Sequence, residues 1–237
     1  MSEPLLHMSA ITAGYGKIQV LWGVDLDVGS RETVVLLGPN GAGKTTTLKC
    51  LQGLLPARGG KIIFRGEDIT RLSSRRRVQS GLSYMSELGV FPELTIAENL
   101  DLGALFVARS TARRRIEQLF GLFPILAERR RQLAGGLSGG QRKMLGIAKA
   151  MAAEPKLLVM DEPSAGLAPL MVSGVINSLA ALRGEGLSML IAEQNVKFLE
   201  LGDRVSTMED GRVGFSGTPA EIAADDGLRR AYFGLGV

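Results

Sequence analysis

The chain has 237 residues, 45% of them hydrophobic and 22% charged, and a formal net charge of +4. This is ordinary globular composition, with enough length to bury a sizeable core in one large domain or two small lobes. No stretch reaches the roughly 18 to 20 uninterrupted apolar residues of a membrane-spanning helix, and the single cysteine, Cys50, excludes an intrachain disulfide and fits a reducing compartment.

The start, Met1-Ser2-Glu3-Pro4, has no basic segment leading into an apolar one, so no secretory leader is expected. Leu5 to Thr12, Gln19 to Val28 and Gly60 to Phe64 look like strands of an antiparallel sheet. Arg31 to Leu37 ends in Val34-Val35-Leu36-Leu37, a buried strand that enters a glycine-rich turn. A helix should run from near Gly43 towards Gln52, with Gly53 as its stop. From about Thr95 to Gly136 the pattern is mostly helical, as in Ile96 to Ala104 and Thr111 to Phe120. Helices over Gln141 to Ala153 and Leu170 to Arg183 alternate with strand-like segments at Lys156 to Met160, whose Leu157-Leu158-Val159-Met160 is a continuous apolar run, and at Leu187 to Ala192. That alternation predicts a parallel sheet covered on both faces. Arg204 to Met208 and Arg212 to Phe215 read as a hairpin turned by Glu209-Asp210-Gly211.

Arginine is clustered at 75–77, 113–115 and 129–131. Such clusters suit nucleic acid, an anionic membrane face, or plain solvated helix faces. No aromatics interleave them to stack bases, so nucleic acid is not expected.

Gly38-Pro39-Asn40-Gly41-Ala42-Gly43-Lys44-Thr45 fits the phosphate-binding loop pattern. Its glycines let backbone amides turn in around phosphate oxygens, and the next helix offers its positive end to the same anion. Lys44 can reach the terminal phosphates of a nucleoside triphosphate, Thr45 can ligate Mg2+, and Thr46 can add a phosphate hydrogen bond. The apolar run before Asp161-Glu162 delivers both acids to a strand end, where ligands bind in open α/β sheets and Asp161 can hold Mg2+ through water. Leu137-Ser138-Gly139-Gly140-Gln141 opens another helix whose start is suited to an anion.

In this order and spacing, the phosphate loop and Leu-Ser-Gly-Gly-Gln resemble the ATP-binding cassette family, whose subunits power membrane transport. The resemblance covers nearly the whole chain. It implies an α/β P-loop ATPase fold with an N-terminal antiparallel β subdomain and an inserted helical subdomain. The single domain, 1–237, would divide into a nucleotide-binding lobe (1–87 and 151–237) and a helical lobe carrying the signature (88–150). Glu162 resembles the family's general base. Tyr15 stands where the family stacks an aromatic on adenine. The signature, Leu137 to Gln141, would face the γ-phosphate held by a second ATPase subunit, sister or identical, in a head-to-tail dimer.

Two positions depart from the commonest cassette pattern. Glu87 replaces a glutamine that touches the metal and the membrane partner, and Gln194 replaces a histidine that contacts the γ-phosphate. These departures resemble the branched-chain amino acid importer branch. So do Val90-Phe91-Pro92-Glu93-Leu94-Thr95, Ala165-Gly166-Leu167-Ala168-Pro169, Glu193-Gln194-Asn195 and the tail from Gly217 to Gly234. Ser86 and Leu88-Gly89 depart from that branch in turn. The resemblance implies ATP and Mg2+ as cofactors, two permease subunits, an extracytoplasmic solute-binding protein, and a cytoplasmic place on the inner face of the membrane. Val90 to Asn99 is the candidate surface for a membrane subunit. Importers of urea or short amides, and exporters of lipid or polysaccharide, share much of this pattern.

Overall fold

In the computed structural model, which describes residues 3–86 and 89–233, the chain opens with β1 (Leu6–Tyr15) and β2 (Ile18–Val28), paired antiparallel. β3 (Thr33–Leu37) is buried at every position. α1 (Lys44–Gln52) follows and ends at Gly53, whose φ of 69° places it in the left-handed region that glycine enters without a Cβ penalty. β4 (Gly59–Phe64) pairs with β1, and β5 (Glu67–Asp68) pairs with β4. α2 (Ser74–Gln79) and β6 (Leu82–Met85) lead to α3 (Ile96–Gly103), α4 (Arg109–Leu122), α5 (Pro124–Glu128) and α6 (Gly139–Met151). β7 (Leu157–Asp161), α7 (Pro169–Gly184) and β8 (Ser188–Glu193) come next. β9 (Arg204–Glu209), β10 (Arg212–Gly217), α8 (Pro219–Ala224) and α9 (Asp226–Phe233) complete the described residues.

Among the described residues the strands form a four-stranded sheet, β2-β1-β4-β5, and a six-stranded one, β10-β9-β3-β8-β7-β6. The second is parallel from β9 to β6, with β10 as an antiparallel edge. The hairpin expected near the C-terminus is present and extends this larger sheet. The sequence reading missed β6, a four-residue run too short to show periodicity, and it missed α2.

The pleat of the large sheet sorts its side chains into two cores. Val34 and Leu36 of β3, Val159 of β7 and Leu190 of β8 pack with α1 and the antiparallel sheet. Val35, Leu37, Met160 and Ile191 point the other way, into the core shared with α6 and α7. Successive strand residues face opposite sides, so a strand covered on both must be apolar throughout. Each such side chain contributes about 1.5–3 kcal/mol by its burial.

The arginine run at 75–77 is not simply a solvated face. Arg75 and Arg76 are exposed, but Arg77 is buried. Its guanidinium donates to the carbonyls of Cys50 and Leu51 (both 2.7 Å), Thr70 (2.8 Å) and Leu72 (3.0 Å). It thereby closes the C-terminal end of α1, where orphan carbonyls and the negative end of the helix dipole favour a cation.

Candidate nucleotide site

β3, β7 and β8 run parallel, and their carboxyl ends lie level: Leu37 pairs with Glu193, and Asp161 with Ala192. The phosphate loop, the acid pair and the Gln194 loop therefore leave the sheet at one edge. Open α/β sheets bind ligands along such an edge.

The phosphate loop runs from Gly38 to Gly43, where φ is 107° and a Cβ would stand 2.9 Å from Met208 Cε. α1 then starts with no side-chain cap and no acid in its first turn. Its first amides and positive dipole end are thus left for an anion. Asn40, Gly41, Gly43, Lys44, Thr45, Thr46, Asp161, Glu162 and Val20 line a cleft of about 530 Å3. Lys44 is buried and donates to the carbonyls of Gly38 (2.8 Å) and Pro39 (3.0 Å). Its Nζ also lies 3.3 Å from Glu162 Oε1.

Thr45 Oγ1 donates to Asp161 Oδ1 at 3.0 Å, and the Tyr84 hydroxyl donates to Asp161 Oδ2 at 3.0 Å. Burial pushes the Asp161 carboxyl above the usual range, and the two hydrogen bonds oppose it. Burial, with the Asp161 charge beside it, raises the Tyr84 phenol as well. Thr45 and Asp161 offer the hard oxygens that Mg2+ prefers, and Mg2+ keeps water and phosphate as its other ligands. The residues present fit that ion. Glu87, the other metal residue expected from the sequence, lies outside the described residues.

Glu162 has φ 47°, sparsely populated for a residue with a side chain. Such a conformation costs of order 1–3 kcal/mol and persists where the surroundings hold it. Here its N–H donates to Ala192 O (2.9 Å), and its carbonyl accepts from Lys143 Nζ (3.2 Å).

The other sequence-marked residues lie outside the described lining of this cleft. Gln194 is exposed and lines an adjoining cavity of about 740 Å3 with Gly38 and Pro39. Tyr15 ends β1, with Lys49 Nζ 5.8 Å from its ring centroid. Ala42 is buried under the loop, and its carbonyl accepts from Gly211 N at 2.8 Å. Ser138 caps α6 in a reciprocal box with Gln141, at 3.0 and 3.3 Å. Gly140 makes room for α7, since a Cβ there would stand 2.0 Å from Met171 Cε. Leu137 to Gln141 form no part of the described lining of the phosphate cleft. Another cavity, of about 760 Å3, lies between α3 and α4 with Arg109, Arg113, Arg130 and Arg131 on its rim, away from this chemistry.

Sequence reasoning missed Tyr84 and Glu193. Tyr84 reaches Asp161 only because β6 lies beside β7, a neighbour relation that no local pattern encodes. Glu193 did carry a signal: a charged residue that continues a buried apolar run must be paired.

The site matches a known machinery. The family model described as ABC transporter matches residues 21–165. The chain belongs to the ABC transporter family. It is a cassette that binds nucleotide and hydrolyses ATP coupled to transport. The high-affinity branched-chain amino acid transport ATP-binding protein BraG of Pseudomonas aeruginosa is 38% identical to this cassette, across 97% of this chain and 100% of that protein. The probable branched-chain amino acid transport ATP-binding protein LivF of Archaeoglobus fulgidus is 33% identical, across 98% and 99%. The lipopolysaccharide export system ATP-binding protein LptB of Haemophilus influenzae is 38% identical, across 96% and 98%. Among solved structures, the ADP conformation of an ATP-binding cassette of an ABC transporter superposes with a TM-score of 0.86 at 26% identity, over 98% of this chain and 100% of that one.

Proposed function

We propose that the cassette powers import of branched-chain or other hydrophobic amino acids from the inner face of the cell membrane. The observation that carries this reading is full-length similarity to BraG and LivF. Among the described residues no helix is long and apolar enough to cross a membrane. The solute path would be formed by permease subunits, fed by an extracytoplasmic solute-binding protein. Phe91, half exposed in the loop before α3, is the candidate contact for a permease. Asn99 fixes that loop by accepting from Phe91 N (2.8 Å) and donating to Phe91 O (2.9 Å).

In this reading Lys44 exchanges Glu162 and the loop carbonyls for the terminal phosphates of ATP. Glu162 is then free to take the proton of a water whose oxygen bonds to the γ-phosphorus, while the bond from that phosphorus to the bridging oxygen breaks and ADP leaves. Thr45, Asp161 and Glu87 would hold Mg2+, which neutralises phosphate charge. Thr46 would add a phosphate hydrogen bond, Gln194 would donate its amide to the γ-phosphate, and Tyr15 would stack on adenine. The signature residues do not reach the cleft of their own chain, which supports their acting on a second subunit's nucleotide across a head-to-tail dimer. The same reading divides the cassette into a nucleotide-binding lobe (1–87 and 151–237) and a helical lobe (88–150).

LptB, as similar in identity as BraG, favours a second reading, a lipopolysaccharide exporter. Uptake of labelled leucine, isoleucine and valine by native cells carrying Glu162→Gln separates the two. Lost uptake supports the importer. Parental uptake with a defective outer-membrane surface would move the cassette to export.

A further inference from the structure

Glu193, the last residue of β8, is only 1% exposed. A carboxylate that deep must be paired. Its Oε1 accepts from Ser164 N at 2.7 Å. Its Oε2 accepts from Ser164 Oγ (3.0 Å), Gln194 N (3.1 Å) and Asn195 N (3.1 Å). The residue's backbone carbonyl accepts from Gly38 N at 3.2 Å. One residue thus touches the start of the phosphate loop, the loop that carries Glu162, and the loop that carries Gln194.

The β7–β8 ladder ends at Asp161 and Ala192. Just past it, the Glu162 amide still reaches Ala192 O, and the Glu193 carboxylate then bridges to Ser164. Ser164 lies two residues after Glu162, within the turn closed by the bond from Ala165 N to Glu162 O (3.0 Å). We propose that Glu193 is a positioning residue for ATP hydrolysis, bracing the Glu162 loop against the Gln194 loop so that both present their side chains to the γ-phosphate together. This rests on the roles proposed above for Glu162 and Gln194. The brace has a second feature suited to that task. It is built from donors on two loops, so it holds their separation as well as their individual shapes. Burial raises the carboxyl above its usual range and the four hydrogen bonds pull it back.

Three variants of the full chain test the brace. Glu193→Asp keeps the charge but is one methylene shorter, so it can serve the amides of its own loop and not Ser164. Glu193→Gln keeps the length but turns an NH2 group towards donors, which breaks one arm. Ser164→Ala removes only the hydroxyl arm. Steady-state ATPase rates are measured beside ATP affinity by calorimetry. We expect kcat at least about tenfold lower in both Glu193 variants, a smaller fall in Ser164→Ala, and ATP Kd within about twofold of the parent.

Parental kcat in Glu193→Asp would mean that the carboxylate serves only its own loop, and the proposal would fall. It would fall equally if ATP affinity dropped as far as kcat, because the phosphate loop would then be the element disturbed. If the Glu193 variants do not fold, Ser164→Ala decides alone: a lower kcat at unchanged Kd supports the brace, and parental kcat overturns it. Gln194→Ala, run in parallel, keeps the two ideas apart. Parental turnover there, beside lost turnover in Glu193→Gln, removes Gln194 from the site and supports a brace that acts on Glu162.

Discussion

Lys44 Nζ lies 3.3 Å from Glu162 Oε1, so the phosphate-loop lysine and the strand-end carboxylate form an ion pair. Lys44 also donates to the Gly38 and Pro39 carbonyls, which closes the loop upon itself. Terminal phosphates must compete with these partners for the ammonium. In the proposed function they would displace them by offering more negative charge to a cation already 4% exposed and held in place.

Lys44→Ala should therefore weaken ATP binding by about 2 kcal/mol or more, since a charged phosphate contact is lost and its partner left unpaired. This corresponds to roughly a 30-fold rise in Kd. Calorimetric titration with ATP measures it, and an unchanged Kd would detach Lys44 from the phosphates.

Glu162→Gln should leave ATP binding nearly intact while turnover falls by at least about 10²-fold, the scale for loss of a general base. The amide can still accept from Lys44 but cannot take a proton from water. Phosphate release under saturating ATP is the readout. Parental turnover would assign the base elsewhere.

Arg77 should govern stability rather than turnover. Removing its fork takes a donor from four carbonyls, of which Cys50 O still accepts from Gly53 N, so Arg77→Ala should cost about 3 kcal/mol. Arg77→Lys keeps the charge, but a single ammonium cannot reproduce the planar fork, and most of that loss should remain. Urea unfolding of both variants checks this. A lysine variant as stable as the parent would reduce the site to charge alone.

Asp161 links the site to pH. Its native pKa is raised, chiefly by burial, so the folded chain favours the protonated carboxyl. The stability tied to this group is fully present below the unfolded-state value of about 4 and is lost as pH rises from there through the raised native value. Above that raised value the chain without nucleotide bears the buried charge, and Asp161→Asn removes it. The variant should melt above the parent at pH 7, with a gap that narrows as pH is lowered towards 5. A variant less stable at both values would show that the bonds from Thr45 and Tyr84 outweigh burial.

Much of this molecule was legible in the order of its residues. Val34 to Leu37 and Leu157 to Met160 are apolar at every position, and Leu187 to Ala192 at every position but Ser188, which marks strands covered on both faces, and each lies within one residue or two of the strand found. Gly53 stops α1 as expected, because a left-handed residue at a helix end favours glycine. The phosphate loop reads directly, since its chemistry is made by consecutive residues. Arg77 was misread with its neighbours, because a run of like charges looks solvated whichever member turns inward.

The local sequence determined which segments are strands and helices, where the phosphate loop turns, and which carboxylates leave a strand end. Tertiary structure alone decided the partners of those groups. Tyr84 reaches Asp161 because β6 lies beside β7, and Glu193 reaches Ser164 because β8 lies on the other side of β7. Parallel strands are joined by long crossovers, so neighbours in the sheet are distant in the chain. Hydrogen bonds between their ends therefore follow from packing order, which no window of consecutive residues contains.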